Sequence, residues 1–243
     1  AGQAPRQRPS GRGSARKKFL KIPSAVRAKD FTRGKSTALY RFTSDAVLLA
    51  RFLRAKRGEK VADFCSGSGI VGLHFFAENT GVEQVTLFEM QPELAQMSGR
   101  TVALNHLEQI FCVENVRLQE IPARYVEAFS LILCNPPYER GGFENADQRK
   151  ALCRKELSLT LDELCTAAAR CLKFGGRFAL IHRADRLSEV VYTLHDHGLE
   201  VKKIQPVCGK TGAKPYAVLV AAVKGGRPGT ELLPAVANQR EGT

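Results

Sequence analysis

The sequence predicts an α/β domain with a seven-stranded, mostly parallel sheet, one antiparallel strand, and helices on both faces. Three observations carry this expectation. Short apolar runs alternate with stretches of helical spacing, which implies parallel strands joined by crossover helices. The first apolar run ends in a glycine turn that opens a helix. The last two runs have no helix between them, so they must pair antiparallel.

The elements follow in order. Thr43-Ser44-Asp45 offers an N-cap before Ala46 to Arg57, where Val47, Leu48, Phe52 and Leu53 recur at helical spacing. Lys60 to Cys65 reads as a strand, Ser66-Gly67-Ser68-Gly69 as the turn, and Ile70 to Glu78 as the helix after it. Gln84 to Glu89 is the next strand, and Pro92 to Asn105 a helix with proline in its first turn, where no N–H is needed. Strands are expected at Ile110 to Val113 and Phe129 to Cys134. A helix over about 159–172, capped by Gly175-Gly176, leads to a strand from Arg177 to His182. A helix near Arg186 to His197, stopped by Gly198, precedes the last two strands, Leu199 to Ile204 and Tyr216 to Val223. Three regions result: a basic, disordered arm over 1–34, a catalytic domain over 35–224, and an irregular extension over 225–243.

Composition narrows the class of function. The 243 residues hold 37 Lys and Arg against 24 Asp and Glu, a net charge of +13. Residues 1–39 hold eleven of those cations and one acid, Asp30, so +10 belongs to this stretch and +3 to the remainder. Its first 18 residues are Gly, Pro, Gln, Ser, Ala, Arg and Lys with little to bury. Three roles compete for it: a basic arm on nucleic acid, a solubilising tail, and an acid-poor targeting segment, which lacks an amphipathic pattern. As an arm it would present Arg16, Lys17, Lys18, Lys21, Arg33 and Lys35 to RNA. The seven cysteines contain no Cys-x-x-Cys pair and lie mostly in apolar runs, as reduced core residues of a cytoplasmic protein do. No apolar stretch approaches the length of a membrane span, so neither membrane insertion nor export is expected.

In open parallel sheets, ligands sit beyond the carboxyl ends of the strands. Asp63-Phe64-Cys65-Ser66-Gly67-Ser68-Gly69 is one such end, with small residues that allow the backbone close approach to a ligand. Glu89 ends the next strand, where a carboxylate can accept hydrogen bonds from both ribose hydroxyls, and Met90 follows it. Glu114 and Asn115 end the third strand. An adenosine-containing ligand is the expected occupant.

The fourth strand runs into Asn135-Pro136-Pro137-Tyr138, a tetrapeptide expected by chance on the order of once in a thousand chains of this size. An exocyclic or amide nitrogen is a poor nucleophile because its lone pair is delocalised. The Asn135 side-chain oxygen and the Pro136 carbonyl can accept both of its N–H bonds and free that lone pair for attack. Two prolines hold the acceptors in place, and Tyr138 offers a face for stacking a planar group. This chemistry needs no metal and no strong general base.

Asp63 to Gly69 resembles the S-adenosylmethionine motif of class I methyltransferases, which have a Rossmann-like fold. The chain from about Lys35 onward resembles the bacterial family of tRNA adenine-N6 methyltransferases that modify the adenine beside the anticodon of a valine tRNA. The similarity rests on 40–49 (YRFTSDAVLL), Asp63 to Gly69, Asn135 to Tyr138, Arg154-Lys155-Glu156, Ile181-His182-Arg183 and Arg186-Leu187. It departs at Cys65, where such motifs commonly carry Gly, at Lys155, where the family often has His, and in the length of the arginine-rich tail.

The resemblance implies S-adenosylmethionine as cofactor and tRNA as partner. It implies that Thr43 and Asp45 close over the donor and that Asp63 orients the loop and the donor's amino-acid end. Glu89 would hold the ribose, and the residues near Glu114 and Asn115 would contact the adenine. Arg140 and Arg154 would either grip RNA beside the flipped base or belong to a solvated loop. No metal is expected: His195-Asp196-His197 reads as a solvated helix end and His182 as structural. The oligomeric state is open, a monomer being compatible with everything above. Other readings are methylation of a protein glutamine, of adenine in ribosomal RNA or DNA, and a non-catalytic RNA-binding protein that keeps the fold.

Overall fold

The computed structural model describes residues 44–137 and 159–238. Five helices, α1 (Ser44–Phe52), α2 (Ile70–Glu78), α3 (Pro92–Leu104), α4 (Leu161–Cys171) and α5 (Leu187–Asp196), flank one sheet. Its strands are β1 (Glu59–Phe64), β2 (Val82–Glu89), β3 (Phe111–Asn115), β4 (Phe129–Cys134), β5 (Leu172–Arg183), β6 (Leu199–Cys208), β7 (Pro215–Lys224), β8 (Glu231–Leu232) and β9 (Val236–Ala237). Their order is β3-β2-β1-β4-β5-β7-β6-β8, with β9 also on β6. β7 is antiparallel to both its neighbours, and β1 to β5 are parallel. The doubly covered α/β architecture read from the sequence is therefore present, with its one reversed strand.

Period-two alternation divides the core between the two faces. Val61, Leu131 and Leu133 join α1, α2 and α3 on one face, through Leu49, Phe75 and Val102. Ala62, Phe64, Ile132 and Cys134 join α4 and α5 on the other, through Leu164, Cys165, Val190 and Leu194. Local chemistry sets the helix ends. In α4 the Thr160 hydroxyl accepts from the Glu163 N–H at 3.2 Å, and Glu163 accepts from the Thr160 N–H at 2.9 Å, a reciprocal cap. At the edge opposite the strands' carboxyl ends, Arg177 grips Glu59 at 2.6 and 2.8 Å and locks the start of β1 to β5. Both side chains are largely buried, so losing one partner of this pair would cost about 3–5 kcal/mol.

Three expectations need correction. The sheet has nine strands among the described residues rather than seven, because the segment from Gly225 read as irregular returns to the sheet edge. There Lys203 and Ile204 pair with Glu231 and Leu232, and Val207 and Cys208 with Val236 and Ala237. Two-residue strands are too short to leave a periodic signal. Gly175-Gly176 does not cap α4: Leu172 already pairs with Phe129, and the next β4–β5 partners are Leu131 and Arg177. The intervening residues bulge from β5, with Gly175 at φ 72°. Finally, α1 ends at Phe52, before the expected Arg57.

Candidate active site at the carboxyl edge of the sheet

A cleft of about 210 Å³, open to solvent on one side, lies beyond the carboxyl ends of β1, β2 and β4. Of the residues singled out in the sequence, Cys65, Gly67, Glu89, Met90, Asn135 and Pro137 line it. The parallel register explains this convergence: Phe64 pairs with Phe88 on one side and Cys134 on the other, so the residues following them emerge together.

The floor is rigid. Phe88 meets Phe64, Tyr125 and Phe129 edge-on at 5.3, 5.1 and 5.9 Å between ring centres, which fixes the end of β2 beneath Glu89. Glu89 is 5% exposed, and its two oxygens accept from the Gly67 and Gln91 backbone N–H groups, each at 2.8 Å. A carboxylate offers about four acceptor positions, so both oxygens retain capacity toward the cleft.

The glycines of the turn differ in purpose. A Cβ on Gly67 would meet nothing within 4 Å, so its missing side chain leaves room in the cleft. A Cβ on Gly69, which caps α2 at φ 78°, would come within 2.9 Å of Leu87 and 3.2 Å of Ser98. Gly69 thus lets the helix start close against the sheet. Cys65 stands at φ 55°, a left-handed conformation that disfavours a side chain and explains why glycine is common at this position in motifs of this kind. Its thiol hydrogen-bonds with that of Cys134, whose own titration is pushed well up by burial and by this contact.

Other residues sit beside the cleft without lining it. Asp63 is fully buried: Oδ2 accepts from the Gly72 N–H at 2.8 Å, while Oδ1 has no hydrogen-bond partner. Burial pushes its carboxyl up to about 7, with the Gly72 N–H pulling the other way and Glu89 adding repulsion. It anchors the loop to α2 and is not among the residues that line the cleft. Phe64, Ser66 and Pro136 are buried as well.

Glu114 is not among the residues that line the cleft. Arg124 donates to both its oxygens at 2.9 Å, and the Tyr125 hydroxyl donates at 2.6 Å. These bonds hold its carboxyl below the usual range against the opposing effect of partial burial. Asn115 donates to the Glu89 carbonyl at 2.8 Å. The wall beside the ligand space comes instead from Val116, Arg117, Leu118 and Gln119, with Gln91, Leu94 and Leu159 completing it. Sequence reading missed the four that follow β3 because the backbone there crosses the strand tips, where no periodicity marks direction. Apolar Val116 and Leu118 directly after a strand end were the available signal.

Asp45, at the start of α1, is held by a network. The Tyr216 hydroxyl donates to its Oδ1 at 2.6 Å, the Asn238 amide donates to the same oxygen at 3.0 Å, and Asn238 also contacts the Tyr216 hydroxyl. Burial and the Asp45 charge push the Tyr216 phenol up to about 12. Thr43, Tyr138, Arg140, Arg154 and the basic residues from Arg16 to Lys35 lie outside the described residues.

Among the described residues no cluster of three or more His, Cys, Asp or Glu side chains could hold a metal, and no helix is long and apolar enough to cross a membrane. His195 contacts Glu200 at 3.1 Å and His197 contacts Thr166 at 3.0 Å, two separate pairs rather than one site. His182 is buried at the end of β5, and burial lowers its pKa.

Comparison with known proteins adds to this geometry. Residues 41–202 match the family model described as the methyltransferase small domain. A curated relative from Bacteroides thetaiotaomicron, a tRNA1(Val) (adenine(37)-N6)-methyltransferase, is 23% identical over 192 residues, covering 79% of this chain and 80% of its own. A protein of the same name from Erwinia tasmaniensis is 24% identical over 216 residues, covering 89% and 87%. Among solved structures, a predicted O-methyltransferase from Agrobacterium tumefaciens aligns with a TM-score of 0.62 at 22% identity, over 79% of this chain and 86% of that one.

Proposed function

The chain belongs to the methyltransferase small domain family, and from that premise we propose that it uses S-adenosylmethionine to methylate the N6 amine of an adenine in tRNA, beside the anticodon. The observation that carries this reading is the placement of Asn135 at the tip of β4, in the same cleft as Glu89 and Gly67. The tRNA methyltransferase names of the Bacteroides and Erwinia relatives support the choice of acceptor.

The residues present fit the donor. Space is left above Gly67, and the buried Glu89 carboxylate has acceptor capacity for a ribose diol beside it. Val116 and Leu118 give an apolar wall for a flat base. When bound, the donor supplies a methyl group already activated by a positively charged sulfur.

The protein's part is alignment. The Asn135 side-chain oxygen and the Pro136 carbonyl accept the two N–H bonds of the target amine, which turns its lone pair toward the methyl carbon. Pro136 is buried and Pro137 lines the cleft, so the acceptors stand on a fixed backbone before the substrate arrives. Tyr138 stacks on the base, which has left its helical stack to enter the cleft. Held beside Glu89 and Gly67, the donor would give up its methyl to the amine and remain as the neutral thioether, while the amine's extra proton would pass to water.

Incubation of the purified chain with labelled S-adenosylmethionine and total tRNA, followed by digestion to nucleosides, tests the reading. N6-methyladenosine is the expected product; label found only in protein, or on another nucleoside atom, overturns it. Asn135→Ala should lower the rate by about 10²–10³-fold while leaving donor affinity nearly unchanged. A fully active variant would remove Asn135 from the reaction.

A further inference from the structure

The reading above places the reacting amine at the cleft floor and assigns no described residue to the RNA strand around it. The β6–β7 hairpin answers that need. The pairing Cys134↔Leu180↔Val220 sets the level of the catalytic corner across the sheet. From that level β7 extends back to Pro215, five residues further, so the hairpin stands about 15 Å above the cleft floor. Only β5 separates β7 from β4, which puts the hairpin roughly 10–14 Å to one side of Asn135.

The tip, Gly209-Lys210-Thr211-Gly212-Ala213-Lys214, is built rather than loose. The Ala213 N–H donates to the Lys210 carbonyl at 3.1 Å, with Gly212 at φ 78°, the geometry of a type II turn. Two ten-residue strands support it, and Tyr216 at its base is bonded to Asp45. Lys210 and Lys214 are exposed, and among the described residues neither takes part in an ion pair. Neighbouring cations at this end are already neutralised: Arg183 by Asp185, and Arg186 by Glu189. Lys173 is exposed too, but on the β5 bulge at the far end of the sheet from the cleft.

We propose that Lys210 and Lys214 form a phosphate-binding surface that holds the RNA strand flanking the target base. A base whose amine reaches the cleft floor leaves its sugar and phosphates outside the mouth, at the height where the hairpin stands. The inference rests on the RNA reading given above, and the test separates the two. Each phosphate neutralised contributes a slope of about 0.7–0.9 to the dependence of log affinity on log salt. Two contacts therefore contribute about 1.4–1.8 in slope, or roughly 25- to 60-fold in affinity near 0.1 M salt.

The experiment compares the full chain with its Lys210→Gln/Lys214→Gln and Lys210→Arg/Lys214→Arg variants. Fluorescent tRNA binding is titrated from 50 mM to 400 mM KCl, and methylation of total tRNA is followed under steady state. Loss of 1.4–1.8 in slope and a raised KM for tRNA, with unchanged kcat at saturation and retention in the arginine variant, is the expected result. A glutamine variant with unaltered slope and KM, while the parent methylates tRNA, overturns the proposal and leaves the reaction assignment intact. Equal loss in the arginine variant also overturns it, since the hairpin would then act through its shape. A parent chain that methylates no tRNA fails earlier, before any variant is compared, and takes both readings down.

Discussion

Replacing Asp63 by asparagine isolates the electrostatic cost of the loop anchor. The carboxyl is fully buried beneath the cleft, one oxygen bonded to the Gly72 N–H and the other without a hydrogen-bond partner. Burial raises its pKa from 3.8 to about 7. Between those values the unfolded chain has released a proton that the folded chain retains, so rising pH draws the equilibrium toward the unfolded state. The cost grows from the unfolded pKa upward and is complete once pH passes the folded one. Three units correspond to about 4 kcal/mol in all, of which about 3 kcal/mol falls between pH 5 and pH 8. An asparagine keeps the acceptor for Gly72 and removes the titration. Urea unfolding of both proteins at half-unit steps over that interval should show the parent losing about 3 kcal/mol relative to the variant. Stability curves that run parallel would mean that Asp63 is already ionised at pH 5 in the folded state, and the argument from burial would be wrong.

Three further perturbations separate binding from packing. Glu89→Gln leaves either the Gly67 or the Gln91 N–H facing an amide instead of an oxygen, and it loses the charge expected to hold the ribose. Calorimetry should show donor affinity down about 10- to 100-fold, the loss of one charge-assisted hydrogen bond; unchanged affinity would place the ribose elsewhere. Gly69→Ala meets Leu87 at 2.9 Å with a left-handed backbone, and should cost about 2–4 kcal/mol in thermal or urea unfolding. Gly67→Ala shares the left-handed backbone strain at φ 56°, about 1–2 kcal/mol, but its methyl meets nothing within 4 Å, so it should cost less stability than Gly69→Ala while weakening donor binding. A reversal of that order between the two glycines would contradict the assignment of their roles.

The sequence was most legible where one signal had one physical meaning. Ile70 to Glu78 forms a helix over the expected residues because a glycine turn precedes it and its apolar residues face the sheet. Phe129 to Cys134, an apolar run at the centre of the sheet, was equally plain. Legibility failed where one residue type serves two geometries. Gly175-Gly176 suits a helix cap and a bulge alike, and the choice depended on Leu172 pairing with Phe129, forty-odd positions away. Glu114 has the chemistry of a ligand-binding acid, yet Arg124 and Tyr125 draw it off the cleft, a competition invisible until β3 and the following turns are placed. Asn135 and Glu89 were found because strand ends in a parallel sheet converge; Gln119 and Leu159 were not, because one sits in a single 3₁₀ turn and the other just before α4, where no periodic pattern marks them.

The bonds from Tyr216 and Asn238 to Asp45 make the described fold a nearly closed circuit of chain. Its first helix and its final strand are spatial neighbours, so the backbone positions that leave the domain there are only a short span apart. A brief linker between them would let the circuit be opened elsewhere, for instance at Gly225-Gly226 on the opposite edge, with every strand pairing kept. The order in which the elements are strung is, on this geometry, separable from the architecture they build.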